Sequence, residues 1–359
     1  MKLLFLNTNI GYGGASKMIV TIANYFADAG NEVYFVTYRG TECYQTLSKN
    51  VCLLQETFEG TSNKILGIWR TVRFLKKLFK SKGIDIAVAF LSPSQLRLSL
   101  AAIGTEVKLV FSERGDPYNR HTSLSYKIIN PITDYFFSRA DGYVFQTNGA
   151  RDYYPDSIRR RSTVIPNPID PIARTKSRLD GIEKSIVSVA RLQIWQKRQD
   201  LLIEAFKLLG EASKGYTLDL YGDGQDEEIL KDLAGGDPSI RFMGKVCNVG
   251  KVIQNAAIFV LSSDFEGIPN SLLEAMSLGV PCVSTDCSPG GAAMLIENGH
   301  NGLLVPRGDA FALSQAIRYF LENPNEAEIM GQNARTVNTS YSPTRIFNQW
   351  NTFFKKLCE

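Results

Sequence analysis

The chain has 359 residues, 44% hydrophobic and 21% charged. That composition suits a globular protein of two ordinary domains and excludes a disordered one. Its net charge of +4 conceals an asymmetry: residues 1–170 hold 21 Lys and Arg against 14 Asp and Glu, residues 171–359 hold 19 against 22, so a basic half precedes an acidic one and suggests an anionic partner.

The opening Met-Lys-Leu-Leu-Phe-Leu is too short an apolar run for a signal peptide, and Leu3–Asn7 reads as a first strand. A glycine-rich turn, Asn9-Ile-Gly-Tyr-Gly-Gly-Ala, leads into a helix near Ser16–Ala29, which Gly30 closes before a strand at Glu32–Thr37. The spacing Gly11-x-Gly13-Gly14 is not the dinucleotide fingerprint, and Thr37-Tyr38-Arg39 stands where its acidic residue belongs. A dinucleotide site is therefore disfavoured, and on the residues alone Gly13 and Gly14 serve a tight strand-to-helix turn.

Residues 64–82 predict an amphipathic helix, with Ile65, Ile68, Val72, Leu75 and Phe79 on one stripe and Arg70, Arg73, Lys77 and Lys80 on another. Such a face either meets water or lies on an anionic membrane. Strands follow at Asp85–Phe90 and Lys108–Ser112, and a polar loop after the second carries Glu113, Arg114, Asp116 and His121. After a strand at Gly142–Gln146, Pro166, Pro168 and Pro171 interrupt the pattern, and the polar run Arg174–Glu183 reads as a linker.

The alternation of strand and helix then restarts: strands at Ser185–Val189, Thr217–Tyr221, Ile240–Met243 and Ala257–Leu261, helices at Gln199–Leu209 and Asp226–Ala234. Leu303-Leu-Val-Pro is a late strand, Ala310–Leu321 a helix, and a last helix near Pro343–Lys356 carries Ile346, Trp350, Phe353 and Phe354. Two doubly wound α/β halves are the predicted architecture. Cys43, Cys52, Cys247, Cys282, Cys287 and Cys358 form no Cys-x-x-Cys pair, and His121 and His300 are the only histidines. Reduced thiols are expected, with neither a disulfide frame nor a His-built metal centre. No window approaches eighteen uninterrupted apolar residues, so no transmembrane span is predicted.

The most informative stretch runs from Ser262 to Gly291, beginning where a buried strand ends and continuing into a short helix stopped by Gly279 and Pro281. Asn270 or Ser271 is expected to cap that helix, and Ser271 with Glu274 has capping-box spacing. A strand, a loop and a helix N-terminus bind phosphate through unpaired N–H groups at Asn270, Ser271 and Leu272 and through the helix dipole. Glu266 and Glu274, eight positions apart, would repel phosphate but suit sugar hydroxyls. The bland alternative is a cap and a solvated loop acid. Arg191 and Lys197 follow the first strand of the second half, opposite this helix start, and suit phosphate as a bidentate fork and a point charge.

The sequence Ser-Asp-Phe-Glu-Gly-Ile-Pro-Asn-Ser-Leu-Leu-Glu-Ala-Met-Ser-Leu-Gly-Val-Pro resembles the signature of retaining family-4 glycosyltransferases, and Ser-Thr-Asp-Cys-Ser-Pro-Gly-Gly is similar to a bacterial branch building surface polysaccharides on lipid carriers. The resemblance implies the GT-B fold: two facing Rossmann-like domains around a cleft. It implies an acceptor-binding domain over 1–170, a nucleotide-sugar domain over 171–342, and a tail helix, 343–359, packing back on the first. It further implies that Gly13 and Gly14 lie near the donor, that Arg191 and Lys197 hold its diphosphate, that Glu274 takes the ribose and that Glu266 takes the sugar. The Arg–Lys separation is six where five is commoner in the family, and Arg198 offers a neighbouring base. No Asp-x-Asp motif occurs, so no metal or other cofactor is expected. The expected activity is transfer of a hexose or N-acetylhexosamine from a UDP-sugar to a lipid-linked saccharide, at the cytoplasmic face of the membrane, with no nucleic acid involved. A nucleotide-sugar 2-epimerase is the alternative, because such isomerases also use two Rossmann domains.

Overall fold

The computed structural model describes residues 1–11, 14–39, 46–55, 64–119, 124–169 and 181–359. The chain divides into two compact units, the first comprising Met1–Ile165 with Ile346–Glu359 and the second Pro166–Arg345.

In the first unit the elements are β1 (Lys2–Asn7), α1 (Gly14–Asp28), β2 (Glu32–Thr37), β3 (Val51–Gln55), α2 (Lys64–Lys82), β4 (Ile86–Ala89), α3 (Ser92–Ala102), β5 (Lys108–Glu113), α4 (Leu124–Phe137), β6 (Gly142–Phe145), α5 (Asn148–Asp152), α6 (Asp156–Arg159) and β7 (Ser162–Val164). The strands form one sheet in the order β3-β2-β1-β4-β5-β6-β7, and every pairing is parallel. Parallel strands need crossover helices on both faces, so their sequences are apolar throughout instead of alternating. All four residues of β4 and of β6 are accordingly buried.

The second unit repeats the plan with β8 (Glu183–Val189), α7 (Ile194–Lys197), α8 (Gln199–Leu208), β9 (Thr217–Tyr221), α9 (Glu227–Ala234), β10 (Ile240–Gly244), α10 (Val249–Ile253), β11 (Ala256–Leu261), α11 (Asn270–Ser277), β12 (Cys282–Thr285), β13 (Leu303–Val305), α12 (Ala310–Glu322), α13 (Pro324–Ala334) and α14 (Val337–Ser340). Its sheet order is β10-β9-β8-β11-β12-β13. In each sheet the order reverses once, between β1 and β4 in the first and between β8 and β11 in the second. Open α/β sheets bind ligands at the carboxyl ends of strands flanking such a reversal.

The last helix, α15 (Pro343–Cys358), contributes to the first unit from Ile346 onward. Ile346, Phe347, Trp350 and Phe354 are at most 3% exposed and join Leu3, Phe5, Phe26 and Val144 in one core. Phe347 stacks on Tyr25 at 4.2 Å between ring centroids, and Phe354 lies 5.1 Å from Phe26. Gly142 makes room for this helix, since a Cβ there would stand 2.7 Å from Phe353 Cζ.

Three expectations need correction, and a fourth, the linker, lies mostly outside the described residues. The units divide at 165/166 instead of 170/171, because Ile169 is buried in the second core and its N–H donates to Tyr341 O. Most of the expected linker, through residue 180, lies outside the described residues, and β8 begins at Glu183. The α2 stripe is also shorter than its periodicity suggested: Val72, Leu75, Leu78 and Phe79 are buried, but Ile65 is 67% exposed. Finally, α11 is not capped by Asn270 or Ser271. Its N-cap is Pro269, which has no side-chain bond to offer, and Asn270 is already inside the helix. Among the described residues no helix is long and apolar enough to cross a membrane.

Candidate functional site

Strands β8 and β11 are hydrogen-bonded neighbours, so the loops that leave their carboxyl ends lie side by side. The loop after β8 carries Arg191 and runs into α7, which ends at Lys197. The loop after β11, residues 262–269, carries Glu266 and runs into α11.

The first loop is held by its backbone. Ala190 N–H donates to Tyr221 O at 3.0 Å and Leu192 N–H to Asp223 O at 2.9 Å, while the buried Gln199 amide donates to Arg191 O at 2.8 Å. That approach requires glycine at 222 and 224: added Cβ atoms would fall 1.9 Å from Ala190 O and 2.0 Å from Leu192 O. The backbone of Arg191 is thus fixed while its side chain is exposed.

Several bonds join α7 to the second loop. Asp264 N–H donates to Gln196 O at 2.9 Å, Gln196 Nε2 to Phe265 O at 3.1 Å, and the Ser262 hydroxyl to Lys197 O at 2.8 Å. Trp195 rests on Phe265, 4.8 Å between centroids. Across this seam Lys197 Nζ donates to Glu266 Oε1, which also accepts from the Ser263 hydroxyl at 2.9 Å. The side chains of the pair are 18% and 11% exposed. A pair this enclosed attracts more strongly than one in water, and its lost hydration is offset by hydrogen bonds such as that from Ser263.

On the far side of the second loop, Glu266 N–H donates to Ser288 O at 2.7 Å and Ser288 N–H to Asp264 O at 3.0 Å. Gly291 lies against the Glu266–Gly267 backbone, and a Cβ there would stand 1.6 Å from Gly267 O. Gly291, the last residue of the motif stretch, therefore has a steric purpose, which is to let one loop seat the other.

At the helix start, the first amide with an intrahelical partner is that of Leu273, which donates to Pro269 O at 3.0 Å. Asn270, Ser271 and Leu272 supply the preceding N–H groups, which a helix leaves for outside acceptors. Asn270 Oδ1 instead accepts from Asn167 Nδ2 at 2.7 Å, so its side chain braces the helix without capping it. Glu274 stands one turn further, half-buried.

This arrangement revises the reading of the two bases. Lys197 does not face the helix start across a gap; it belongs to the same unit and is bonded to Glu266. Arg198 does not substitute for it, because its guanidinium is shared between Asp200 and Asp264, at 3.1 and 3.0 Å. Those carboxylates hold Arg198 charged and raise its pKa. It needs that anchoring, with φ at 51° in the left-handed region between α7 and α8.

The other sequence candidates lie in the first unit. Gly14 opens α1, while Gly13 and His121 lie outside the described residues. Three acids and bases of the β5 loop are tied internally. Glu113 accepts from its neighbours' N–H groups and from the Tyr154 hydroxyl at 3.2 Å. Asp116 accepts from Tyr118 N–H at 2.9 Å and from Asn119. Arg114 lies over Phe90 and Trp350, 4.2 and 5.7 Å from their centroids, and burial pushes its pKa down to about 9. Sequence reasoning did not find Ser263, Gln196 or Ser288. Ser263 stands three residues from Glu266 and could have been found by that spacing, whereas Ser288 acts through its backbone and Gln196 through backbone and side-chain bonds to a loop distant in sequence.

Two Rossmann-like units, with a charged constellation at the order reversal of the second sheet, define the GT-B class. Residues 12–172 match the family described as Glycosyltransferase Family 4, and residues 183–323 match Glycosyl transferases group 1. The chain is a glycosyltransferase of the GT-B fold. It is 24% identical to an uncharacterized glycosyltransferase of Haemophilus influenzae, covering 97% of this chain and 98% of that one. It is 25% identical to a Campylobacter jejuni protein named GalNAc-alpha-(1->4)-GalNAc-alpha-(1->3)-diNAcBac-PP-undecaprenol alpha-1,4-N-acetyl-D-galactosaminyltransferase, over 98% and 97% of the two chains. Anabaena HepE, solved in complex with UDP, superposes with a TM-score of 0.80 at 18% identity, covering 99% of this chain and 100% of that one.

Proposed function

We propose that the chain transfers a hexose or N-acetylhexosamine from a UDP-sugar to a saccharide carried on a polyprenyl diphosphate, retaining the anomeric configuration and without a divalent cation. One observation carries this reading: an exposed arginine, a half-buried lysine–glutamate pair and an uncapped helix N-terminus are gathered where the second sheet reverses its order. The reaction develops negative charge on a departing diphosphate, and preorganised donors there lower the barrier most. Arg191, Lys197 and the N–H groups of Asn270, Ser271 and Leu272 are those donors. Both side-chain bonds to Glu266 fall on Oε1, which supports a role for Oε2 toward a hydroxyl of the transferred sugar, and Glu274 takes the ribose. The bond from the anomeric carbon to the diphosphate oxygen breaks with its electron pair remaining on the diphosphate. The acceptor oxygen bonds to that carbon on the same face and gives its proton to a diphosphate oxygen.

The acceptor class has separate support. The Campylobacter relative's name specifies a PP-undecaprenol-linked saccharide, and α2 presents exposed Arg70, Arg73, Lys77 and Lys80 beside exposed Ile65, Leu66 and Trp69. Basic residues beside apolar ones suit an anionic membrane, where the chain would sit peripherally on the cytoplasmic face. The decisive assay measures UDP release from a panel of UDP-sugars, with and without a bacterial lipid-linked saccharide fraction and with EDTA throughout. Release requiring one donor and the lipid fraction is the expected result. Conversion of the donor sugar with no acceptor would instead establish an isomerase, and dependence on added metal would remove the metal-free mechanism.

A further inference from the structure

At the carboxyl ends of β5 and β6, Glu113, Arg114 and Asp116 are tied within the loop, and among the described residues two exposed aromatic rings stand beside them. Tyr118 is 58% exposed and Tyr153 is 40% exposed, and their rings meet edge to face at 4.9 Å. Each is placed by a separate device. Asp116 accepts from the N–H of Tyr118 and from the Asn119 side chain, a side-chain turn that fixes the loop under the ring. Tyr153 ends α5, whose first turn is capped by Thr147 accepting from Ala150 N–H at 3.0 Å. It also packs at 5.1 Å on Tyr154, whose own ring lies 5.1 Å from both Phe137 and Phe145. The Tyr154 hydroxyl donates to Glu113, so the aromatic pair and a fixed carboxylate belong to one assembly.

We infer that Tyr118 and Tyr153 form a platform for a pyranose ring of the acceptor saccharide. A pyranose shows C–H groups on its faces and hydroxyls around its rim. The faces suit the electron-rich side of a tyrosine ring, and the rim suits phenol and carboxylate oxygens. Tyrosine also loses little conformational entropy on binding, which favours it where a neutral, polar and weakly hydrophobic ligand must be held. Among the described residues of this loop the basic group, Arg114, is withdrawn against Phe90 and Trp350, and Arg151 beside Tyr153 is paired with Asp152. The inference deepens the transferase reading and rests on it for the word acceptor.

Saturation-transfer NMR with methyl hexopyranosides and methyl N-acetylhexosaminides tests the platform without requiring turnover. The wild-type chain should saturate at least one glycoside. Tyr118→Ala with Tyr153→Ala should reduce that binding at least tenfold at an unchanged melting temperature, and Tyr118→Phe with Tyr153→Phe should keep most of it. No saturation in the wild type, or equal saturation in the alanine variant, overturns the inference. UDP release decides the transferase reading separately: a chain that binds glycosides through these tyrosines but never releases UDP keeps the platform and loses the reaction.

Discussion

Lys197 and Glu266 are 69 residues apart in sequence and bonded to each other at the carboxyl ends of two adjacent strands. The contact makes each residue's contribution depend on the other. Lys197→Ala removes a charge from the diphosphate site and leaves an enclosed carboxylate with the Ser263 hydroxyl as its remaining side-chain partner. Turnover should fall by about 10²–10³-fold, and stability by about 1–3 kcal/mol, the cost of leaving a partly buried carboxylate without its charged partner. Arg191→Ala should cost similar turnover with little change in melting temperature, because its side chain is exposed and in no ion pair among the described residues. Combining Lys197→Met with Glu266→Gln should recover most of the stability and none of the turnover. Unchanged turnover in both single variants would remove the phosphate role from these bases.

The seat beneath Glu266 gives a sharper steric prediction. A Cβ at Gly291 would meet Gly267 O at 1.6 Å, backbone against backbone, with no flexible side chain to yield. Gly291→Ala should therefore shift the Glu266 loop and lose about 1–3 kcal/mol through overpacking, with donor affinity falling more than the stability loss alone explains. Gly30→Ala is the comparison: its φ of 83° strains any side chain, but nothing lies within 4 Å, and it sits in the other unit. It should cost stability and spare UDP binding, as calorimetric titration would read. Equal loss of UDP affinity in both variants would mean that the Gly291 contact has no specific link to the site.

Neutralising Arg70, Arg73, Lys77 and Lys80 to glutamine should weaken sedimentation with vesicles of mixed anionic and zwitterionic lipid. At about 1 kcal/mol per basic residue near such a surface, four residues contribute at most about 4 kcal/mol. The wild-type interaction should also fade as salt rises, since the Debye length is about 10 Å at 0.1 M. Vesicle binding that is equal in the variant, or indifferent to salt, would leave α2 as packing alone.

The fold was largely readable because parallel sheets write themselves in apolar runs. Lys64–Lys82 and Glu32–Thr37 emerged with the observed ends. The candidate site was readable as residue types and only partly as geometry. Glu266, Lys197 and Arg191 could be named, but periodicity carries no information about which side chains meet across 69 residues, so the Lys197–Glu266 bond was missed. The capping box failed for a local reason: Pro269 takes the cap position, which places Ser271 two residues too deep to act as a cap. At Ile65 the helical period holds while its burial does not, because a repeat predicts which face a residue shares and not how far the neighbouring surface extends.

The cysteines of the described residues separate into two chemical classes, Cys43 lying outside them. Cys52, Cys247 and Cys358 are exposed, whereas Cys282 and Cys287 are buried. Burial, reinforced by the Glu266 charge, pushes the Cys287 thiol up to about 12. The thiolate is the nucleophile, so at pH 8 Cys287 is almost wholly protonated as well as shielded. Brief alkylation of the native chain at that pH should modify the exposed three and spare Cys282 and Cys287, and denaturant should open both. Peptide mapping by mass spectrometry reads the outcome. Native labelling of Cys287 at a rate near that of Cys247 would show that the Glu266 loop opens on that timescale.

Trp350 tests the tail helix. Its side chain is fully buried, 6.3 Å from Phe90 and 5.5 Å from Phe354 between centroids, with the Arg114 guanidinium over the same ring. Trp350→Ala should cost about 3–5 kcal/mol through lost transfer energy and the cavity left behind. Trp350→Phe keeps an aromatic ring beside Phe90 and Arg114 and should cost clearly less. Arg114→Lys removes the planar group stacked on two rings and should cost about 1–2 kcal/mol, the scale of a desolvated cation–π contact. Because Arg114 and Trp350 touch, the double variant should cost less than the sum of the singles. Strict additivity in denaturant melts would mean that the tail helix and the β5 loop are stabilised independently.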